Sequence, residues 1–462
     1  MKLTLAQIQE ATGAEVIRQN RTEFEAYGID SRTIAKNALF FALKGENTDG
    51  HLFVESAVHN GAGGAVVERE IALPDSPLTV LRVRESMKAL QDLAASVRRT
   101  QPGEFIGLTG SAGKTSTKEF TAAILSQKYG VYKSEGNLNS LTGLPLALLS
   151  MIPEACNVFE LGMNHPGEIA QLATMLRPDI GMLLNVNPVH LGQFASVEAI
   201  ADEKFSIFSG LPSDGVAIIN ADDPLILKRT PYLKLRSFSF GFSDRADLRI
   251  TDFEELGVKG TRGILQWKSK QIPFRTRLCG TGNAQNIAAA ALAGLLLDVS
   301  ESQVAAGIEA LKPYRQRGEL WESNGISVYD DSYNSNPAAL RIAMEIVATS
   351  KGFRRKIVAL GDMLELGPRE LEFHAEAGAQ VAQSTADVLI AAGERSKSMA
   401  EGARRAGMTD VFWTPDSLEA GELAANMVRE GDLVLVKGSR GMRMEKVVEA
   451  IRNRTAKGVQ GG

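Results

Sequence analysis

The sequence predicts an α/β protein built on parallel sheets, and three observations carry that expectation. Short apolar runs of strand type alternate with amphipathic stretches along almost the whole chain, the pattern of repeated β–α–β units. A glycine-rich loop, Thr109-Gly110-Ser111-Ala112-Gly113-Lys114-Thr115-Ser116, sits between one such run and a helix. The chain has 462 residues, which at roughly 150 residues per domain suggests about three domains.

Taken in order, Gly61 to Val67 leads into a strand and Leu78 to Val83 reads as another. Met87 to Arg98 is helical by the spacing of its apolar residues. Phe105 to Leu108, Asn157 to Glu160, Ile180 to Asn185, Gly215 to Asn220, Lys356 to Leu360, Val388 to Ala392 and Leu433 to Val436 read as short buried strands. Phe238 to Ile250 and Val258 to Leu278 combine glycine and β-type residues without helical spacing, and read as a small antiparallel insert. One break falls near Val83–Glu85. A second falls near Leu311–Pro313, where a helical pattern stops at proline. They divide the chain into residues 1–84, 85–312 and 313–462.

Composition narrows the function. Apolar residues make up 44% and charged residues 23%, so each domain can bury its own core. With 51 basic and 55 acidic residues, the net charge of −4 argues against a nucleic-acid binder that relies on bulk positive charge. Cys156 and Cys279 are too few for a disulfide framework or a multi-thiolate zinc site, and read as buried thiols in a reducing compartment. The N-terminus lacks the apolar stretch of a signal peptide. The longest apolar run, Ile287 to Leu297, is too short to span a bilayer. A soluble, cytoplasmic protein is expected.

The glycine-rich loop is the strongest chemical signal. Gly110 and Gly113 let the backbone curl so that N–H groups point inward, and the helix N-terminus adds positive potential. Lys114 can reach the β- and γ-phosphates of a nucleotide, and the Thr115 hydroxyl can ligate Mg²⁺. Glu160 ends a buried strand, where a Mg²⁺ ligand belongs. His190 follows another apolar strand. Lys204 lies in a helix whose Ile200, Ile207 and Phe208 form an apolar face, so spacing alone reads it as a lysine that extends its amine to solvent. No Asn-Lys-x-Asp base-reading motif of a GTPase is present.

These residues, in this order, resemble the Mur ligases of peptidoglycan synthesis. The resemblance rests on the loop at Thr109–Ser116, Glu160-Leu161-Gly162-Met163-Asn164-His165, His190, and Ala201 to Phe208 with Lys204. Tyr329 to Pro337, Leu360 to Gly367 and Val436 to Arg440 look like the member that acts last in that series, as do Asp30-Ser31-Arg32, Leu39 to Gly45 and Asp49-Gly50-His51. That member joins D-alanyl-D-alanine to UDP-N-acetylmuramoyl-tripeptide.

The resemblance implies three domains: a small N-terminal α/β domain for the UDP substrate, a central phosphate-loop ATPase domain, and a Rossmann-like C-terminal domain that binds the dipeptide and closes on ATP. It implies that Lys204 is carbamylated by CO₂ and, with His190, holds a second Mg²⁺, while Thr115 and Glu160 hold the first. Asn283 and Asn286 then match the adenine side, and Arg317 and Asp331 the residues that close on ATP. Ser31, Arg32, Lys44, Asn137, Asn139, Tyr333, Asn334 and Asn336 become candidates for substrate contacts. The implied partners are small molecules, with no nucleic acid, no membrane span and a monomeric state. The rival readings are a Mur-type ligase that adds a single amino acid, and a non-catalytic nucleotide-binding scaffold.

Overall fold

The computed structural model describes residues 1–45, 48–71, 77–188 and 193–457. Three large sheets organise them. In the first, Tyr27–Gly28, Leu39–Phe41, Gly64–Val67 and Thr79–Arg82 run parallel, and Glu15–Arg18 closes one edge antiparallel. The chain then enters the helix Ser86–Thr100, which packs against the helix Leu5–Thr12 on one side and Gly143–Ser150 and Glu168–Leu176 on the other. The first sheet and the middle of the molecule therefore share a continuous apolar core, with Leu39 and Phe41 in the same cluster as Leu90, Leu93, Leu144 and Leu172.

The central sheet runs, in order, Lys270–Thr276, Thr261–Trp267, Leu248–Glu255, Arg236–Gly241, Val216–Asn220, Ile180–Leu183, Glu104–Thr109, Cys156–Glu160 and Val131–Lys133. Its middle strand, Glu104–Thr109, is buried on both faces. Phe105 points into the core with Leu148 and Phe159, while Ile106 and Leu108 point into the core with Phe120, Ile287 and Leu292. Each fully buried side chain of this size contributes roughly 1.5–3 kcal/mol. The chain leaves Glu104–Thr109 for Cys156–Glu160 on one side and returns to Ile180–Leu183 on the other. The carboxyl end of Glu104–Thr109 is thus a topological switch point, where such sheets open a crevice for ligands.

The expected antiparallel insert is only partly right. Arg236–Gly241 pairs parallel with Val216–Asn220 and Leu248–Glu255 parallel with Arg236–Gly241, so both extend the central sheet. Only Leu248–Glu255, Thr261–Trp267 and Lys270–Thr276 are mutually antiparallel. The helix Thr281–Leu296 packs on this part of the sheet; Arg236–Gly241 is exposed at its start and buried at its end, while Leu248–Glu255 alternates.

The third sheet orders Glu319–Ser323, Ile326–Asp331, Asp432–Lys437, Arg355–Gly361, Val388–Ala392 and Val411–Thr414; all but the first pair are parallel. Among the described residues no helix is long and apolar enough to cross a membrane. Cys156 and Cys279 are both free and buried.

Candidate functional site

Three strand ends converge on the switch point. Glu104–Thr109 leads into the phosphate loop, Cys156–Glu160 ends on Glu160, and Ile180–Leu183 leads to Asn185. The loop is fastened from below. Thr109 donates its hydroxyl to the Leu161 carbonyl at 2.9 Å. Asn185 accepts the Ala112 N–H at 2.8 Å and returns an amide hydrogen to the Ala112 carbonyl at 3.0 Å. Gly113 is required by conformation and by space: its φ is +79°, and a Cβ there would lie 2.5 Å from the Asn286 side-chain oxygen. The helix Lys114–Leu125 starts at the next residue, with its free N–H groups facing the crevice.

Lys114 folds back to donate to the Gly110 carbonyl at 2.9 Å. Burial lowers its pKa, and the Glu160 carboxylate opposes that shift. The Thr115 hydroxyl donates to Glu160 Oε2 at 2.9 Å, and Asn139 donates to Oε1 of the same carboxylate at 2.7 Å. Hydroxyl and carboxylate oxygens in contact, both buried at the mouth of a phosphate loop, are the hard oxygen donors that Mg²⁺ takes beside phosphate. Among the described residues no three His, Cys, Asp or Glu side chains gather into a metal cluster, so phosphate oxygens and water would supply the other ligands.

Lys204 does not extend to solvent. It is 2% exposed, and its pKa falls well below the ordinary lysine value, first through burial and then through the nearby Lys114 charge. It lies in the last turn of the helix Val197–Phe205, close enough to Lys114 to feel its charge. His190 lies outside the described residues.

The third sheet supplies the opposite wall. Asp331 and Lys437 are neighbours at the carboxyl ends of adjacent parallel strands, and Lys437 Nζ meets Asp331 Oδ2 at 2.5 Å and the Asn334 carbonyl at 3.0 Å. The Arg317 guanidinium stacks 4.1 Å from the Tyr333 ring centre, and its buried Nε has no hydrogen-bond partner. Asn336 caps the helix Pro337–Thr349 by accepting the Ala339 N–H at 2.9 Å.

One cleft of about 500 Å³ joins the two walls. Ser111 to Ser116, Asn137, Asn139, Glu160, Asn283, Asn286, Arg317, Asp331, Tyr333, Asn334 and Asn336 all line it. Thr109 and Gly110 stand behind it. A second cavity of about 360 Å³ continues past Gly113 and Asn286 toward Asn220, Asp222 and Gln285. Ser31, Arg32 and Lys44 belong to the first sheet's loops and do not line the cleft: Ser31 is buried with its carbonyl bound to Asn60, Arg32 is paired with Asp30, and Lys44 is exposed. Two residues join the site that sequence reasoning does not single out. Lys437 stands at the end of a buried strand within the Val436–Arg440 motif, and Asn185 holds the same kind of place after Ile180–Leu183.

The comparisons with known proteins agree with this layout. Residues 23–98, 108–294 and 316–440 match, in turn, the models described as "Mur ligase family, catalytic domain", "Mur ligase middle domain" and "Mur ligase, glutamate ligase domain". The UDP-N-acetylmuramoyl-tripeptide–D-alanyl-D-alanine ligase of Escherichia coli is 33% identical over 98% of this chain and 99% of its own. The Bacillus subtilis protein of that name is 32% identical over 97% and 98%. A crystal structure of MurF from Acinetobacter baumannii superposes with a TM-score of 0.90 at 30% identity, over 98% of this chain and 99% of that one. MurF from Thermotoga maritima in complex with ADP gives 0.83 at 28% identity, over 94% and 98%. Similarity that runs end to end and includes both walls of the cleft leaves one assignment: the chain belongs to the Mur ligase family.

Proposed function

We propose that this enzyme joins D-alanyl-D-alanine to UDP-N-acetylmuramoyl-tripeptide at the expense of ATP, giving the UDP-N-acetylmuramoyl-pentapeptide precursor of peptidoglycan, ADP and phosphate. The observation that carries the reading is the single cleft in which the phosphate loop and the Thr115–Glu160 pair face Arg317, Asp331 and the Tyr333–Asn334 turn. The full-length relatives named for this reaction support the choice of substrates.

The tripeptide carboxylate attacks the γ-phosphorus of ATP, and ADP leaves. The dipeptide amine then attacks the acyl phosphate carbon, phosphate leaves, and the amine proton passes to solvent or a base. The chain's task is to bring anions together and hold them in line. Loop N–H groups and Lys114 bind the triphosphate, whose adenosine end extends into the cavity toward Asn286 and Asn220. Arg317 brings a guanidinium whose Nε is still unpaired. The third domain excludes water that would hydrolyse the acyl phosphate. Thr115 and Glu160 would hold Mg²⁺, which would neutralise phosphate charge there. Lys204, buried and prone to lose its proton, fits a carbamate that would hold a second ion with His190. Residues 1–84 would hold the UDP end through Ser31, Arg32 and Lys44, with residues 85–312 as the ATP domain, 313–462 as the dipeptide domain, and a cytoplasmic monomer as the working form.

The test is phosphate release from MgATP with UDP-N-acetylmuramoyl-tripeptide, with and without D-alanyl-D-alanine, together with the mass of the product. Release that requires both substrates, and a product heavier by the dipeptide less water, is the expected result. Release supported by a single amino acid would move the chain to another step of the series. Failure to turn over ATP with any acceptor would favour a nucleotide-binding scaffold.

A further inference from the structure

The helix that follows the phosphate loop carries a second lysine whose contacts the reaction as described does not use. Lys118 lies one turn beyond Lys114, on the same face of the helix. It is 1% exposed, among the most deeply buried large side chains of the molecule. Its amine donates to the Ser134 carbonyl at 2.6 Å and reaches the Gly136 carbonyl at 3.5 Å. The nearest carboxylate, Glu119, places Oε1 3.6 Å away while its Oε2 pairs with Lys133. Burying an ammonium against two carbonyls is unfavourable compared with filling the space with methionine or leucine. A purely structural contact has no need of it.

What the amine holds is the turn that enters Asn137 and Asn139, both on the cleft wall. Asn139 donates to Glu160 Oε1 at 2.7 Å, and its carbonyl accepts the Gly162 N–H at 2.8 Å. The same helix therefore grips Glu160 twice: directly through Thr115 on Oε2, and indirectly through Lys118, the 134–136 turn and Asn139 on Oε1.

We infer that Lys118 is a positioning residue for the Mg²⁺ and substrate side of the cleft: by clamping the 134–136 turn it sets Asn139, and through Asn139 fixes the orientation of the Glu160 carboxylate. This rests on the reading of Glu160 as an Mg²⁺ ligand, and the experiment separates the two. Full-length Lys118→Met, Asn139→Ala, the double variant and Glu160→Gln are compared by hydrogen exchange without nucleotide and by calorimetric titration of ADP at graded Mg²⁺.

Lys118→Met is expected to speed exchange over residues 134–140 about tenfold while leaving the strand 156–160 unchanged, and to raise the Mg²⁺ concentration needed for half-maximal ADP binding several-fold. Asn139→Ala should produce the same Mg²⁺ shift, and the double variant no more than either. Unchanged exchange at 134–140 in Lys118→Met overturns the clamp, and so does an additive double variant. If Lys118→Met fails to fold, ordinary Mg²⁺ dependence in Asn139→Ala overturns it instead. Ordinary Mg²⁺ dependence in Glu160→Gln would overturn the ion site itself, whatever the exchange result.

Discussion

On the function proposed above, Lys114 and Lys204 would take opposite roles although burial lowers the pKa of both. Glu160 opposes the shift at Lys114, which would stay the partner of an incoming anion. At Lys204 the Lys114 charge adds to burial while Glu203 opposes it, so a neutral amine would be more readily available to add to CO₂. Replacing Lys114 by alanine should lower ATP-driven ligation by about 10²–10³-fold, while UDP-substrate affinity measured by calorimetry stays near wild type; equal loss of both would mean misfolding. Replacing Lys204 by alanine should abolish ligation, with partial recovery when a short carboxylate such as formate or propionate is added. Full activity in Lys204→Ala would remove the carbamate from the mechanism. At this scale the sequence was legible where local geometry decides the role. Strand, glycines, lysine and hydroxyl announce the loop in Thr109–Ser116. It was not legible for the burial of Lys204, because Ile200, Ile207 and Phe208 predict only an amphipathic helix. Lys114, whose charge acts on this lysine, lies about ninety residues away in the sequence.

Whole elements follow the same division. Strands buried on both faces, such as Glu104–Thr109 and Asp432–Lys437, appear in the sequence as continuous apolar runs. Arg236–Gly241 and Leu248–Glu255 pair parallel with each other, but both are partly open, and their glycine and β-type residues without helical spacing read as an antiparallel insert. The buried strands carry the motifs of the site, which is why that wall was easier to find than the sheet's far edge. Helix packing in the third domain is harder to see in advance. Glu370–Ala382 and Ser396–Arg405 touch through Gly378 and Gly402. A Cβ on Gly378 would sit 1.9 Å from the Met399 carbonyl oxygen, and one on Gly402 would sit 2.2 Å from that of Ala375. Both contacts are with backbone, which has little room to give. Gly378→Ala should therefore destabilise the third domain by about 1–3 kcal/mol, even though alanine favours helix. Chemical denaturation followed through the domain's Trp413 would check it, and an unchanged midpoint would show that the helices separate easily.

The whole molecule depends on how the third domain seats against the centre. Beside the cleft the seam is apolar, and Ile346 belongs to both. Val258 is buried among Ile346 and Val347, and its N–H donates to the Ser350 hydroxyl at 3.0 Å. Glu255 stands at the end of the strand leading to this contact, half-buried, with Oε1 unpaired. Its pKa is raised, first by loss of water and then by Glu345 on the facing helix, with a backbone N–H at Thr281 opposing the shift. A carboxyl whose pKa is higher in the folded protein than in the unfolded chain keeps its proton where the unfolded chain has lost it. Its contribution to stability is therefore best at low pH and declines as pH rises from the ordinary glutamate value through the raised one. Glu255→Gln removes that decline. The variant should melt roughly 1–3 °C above wild type at pH 7.5 and together with it near pH 4. Scanning calorimetry at the two pH values reads the difference directly, and the transition assigned to the third domain should be the one that moves, since a chain of several domains need not unfold in a single step. An equal gain at both pH values would mean that lost packing around Oε1, rather than its charge facing Glu345, is what strains the seam. On the proposed reading that this domain closes on the nucleotide, a seam relieved of that repulsion should also bind ADP more tightly at pH 7.5, and no more tightly than wild type near pH 4.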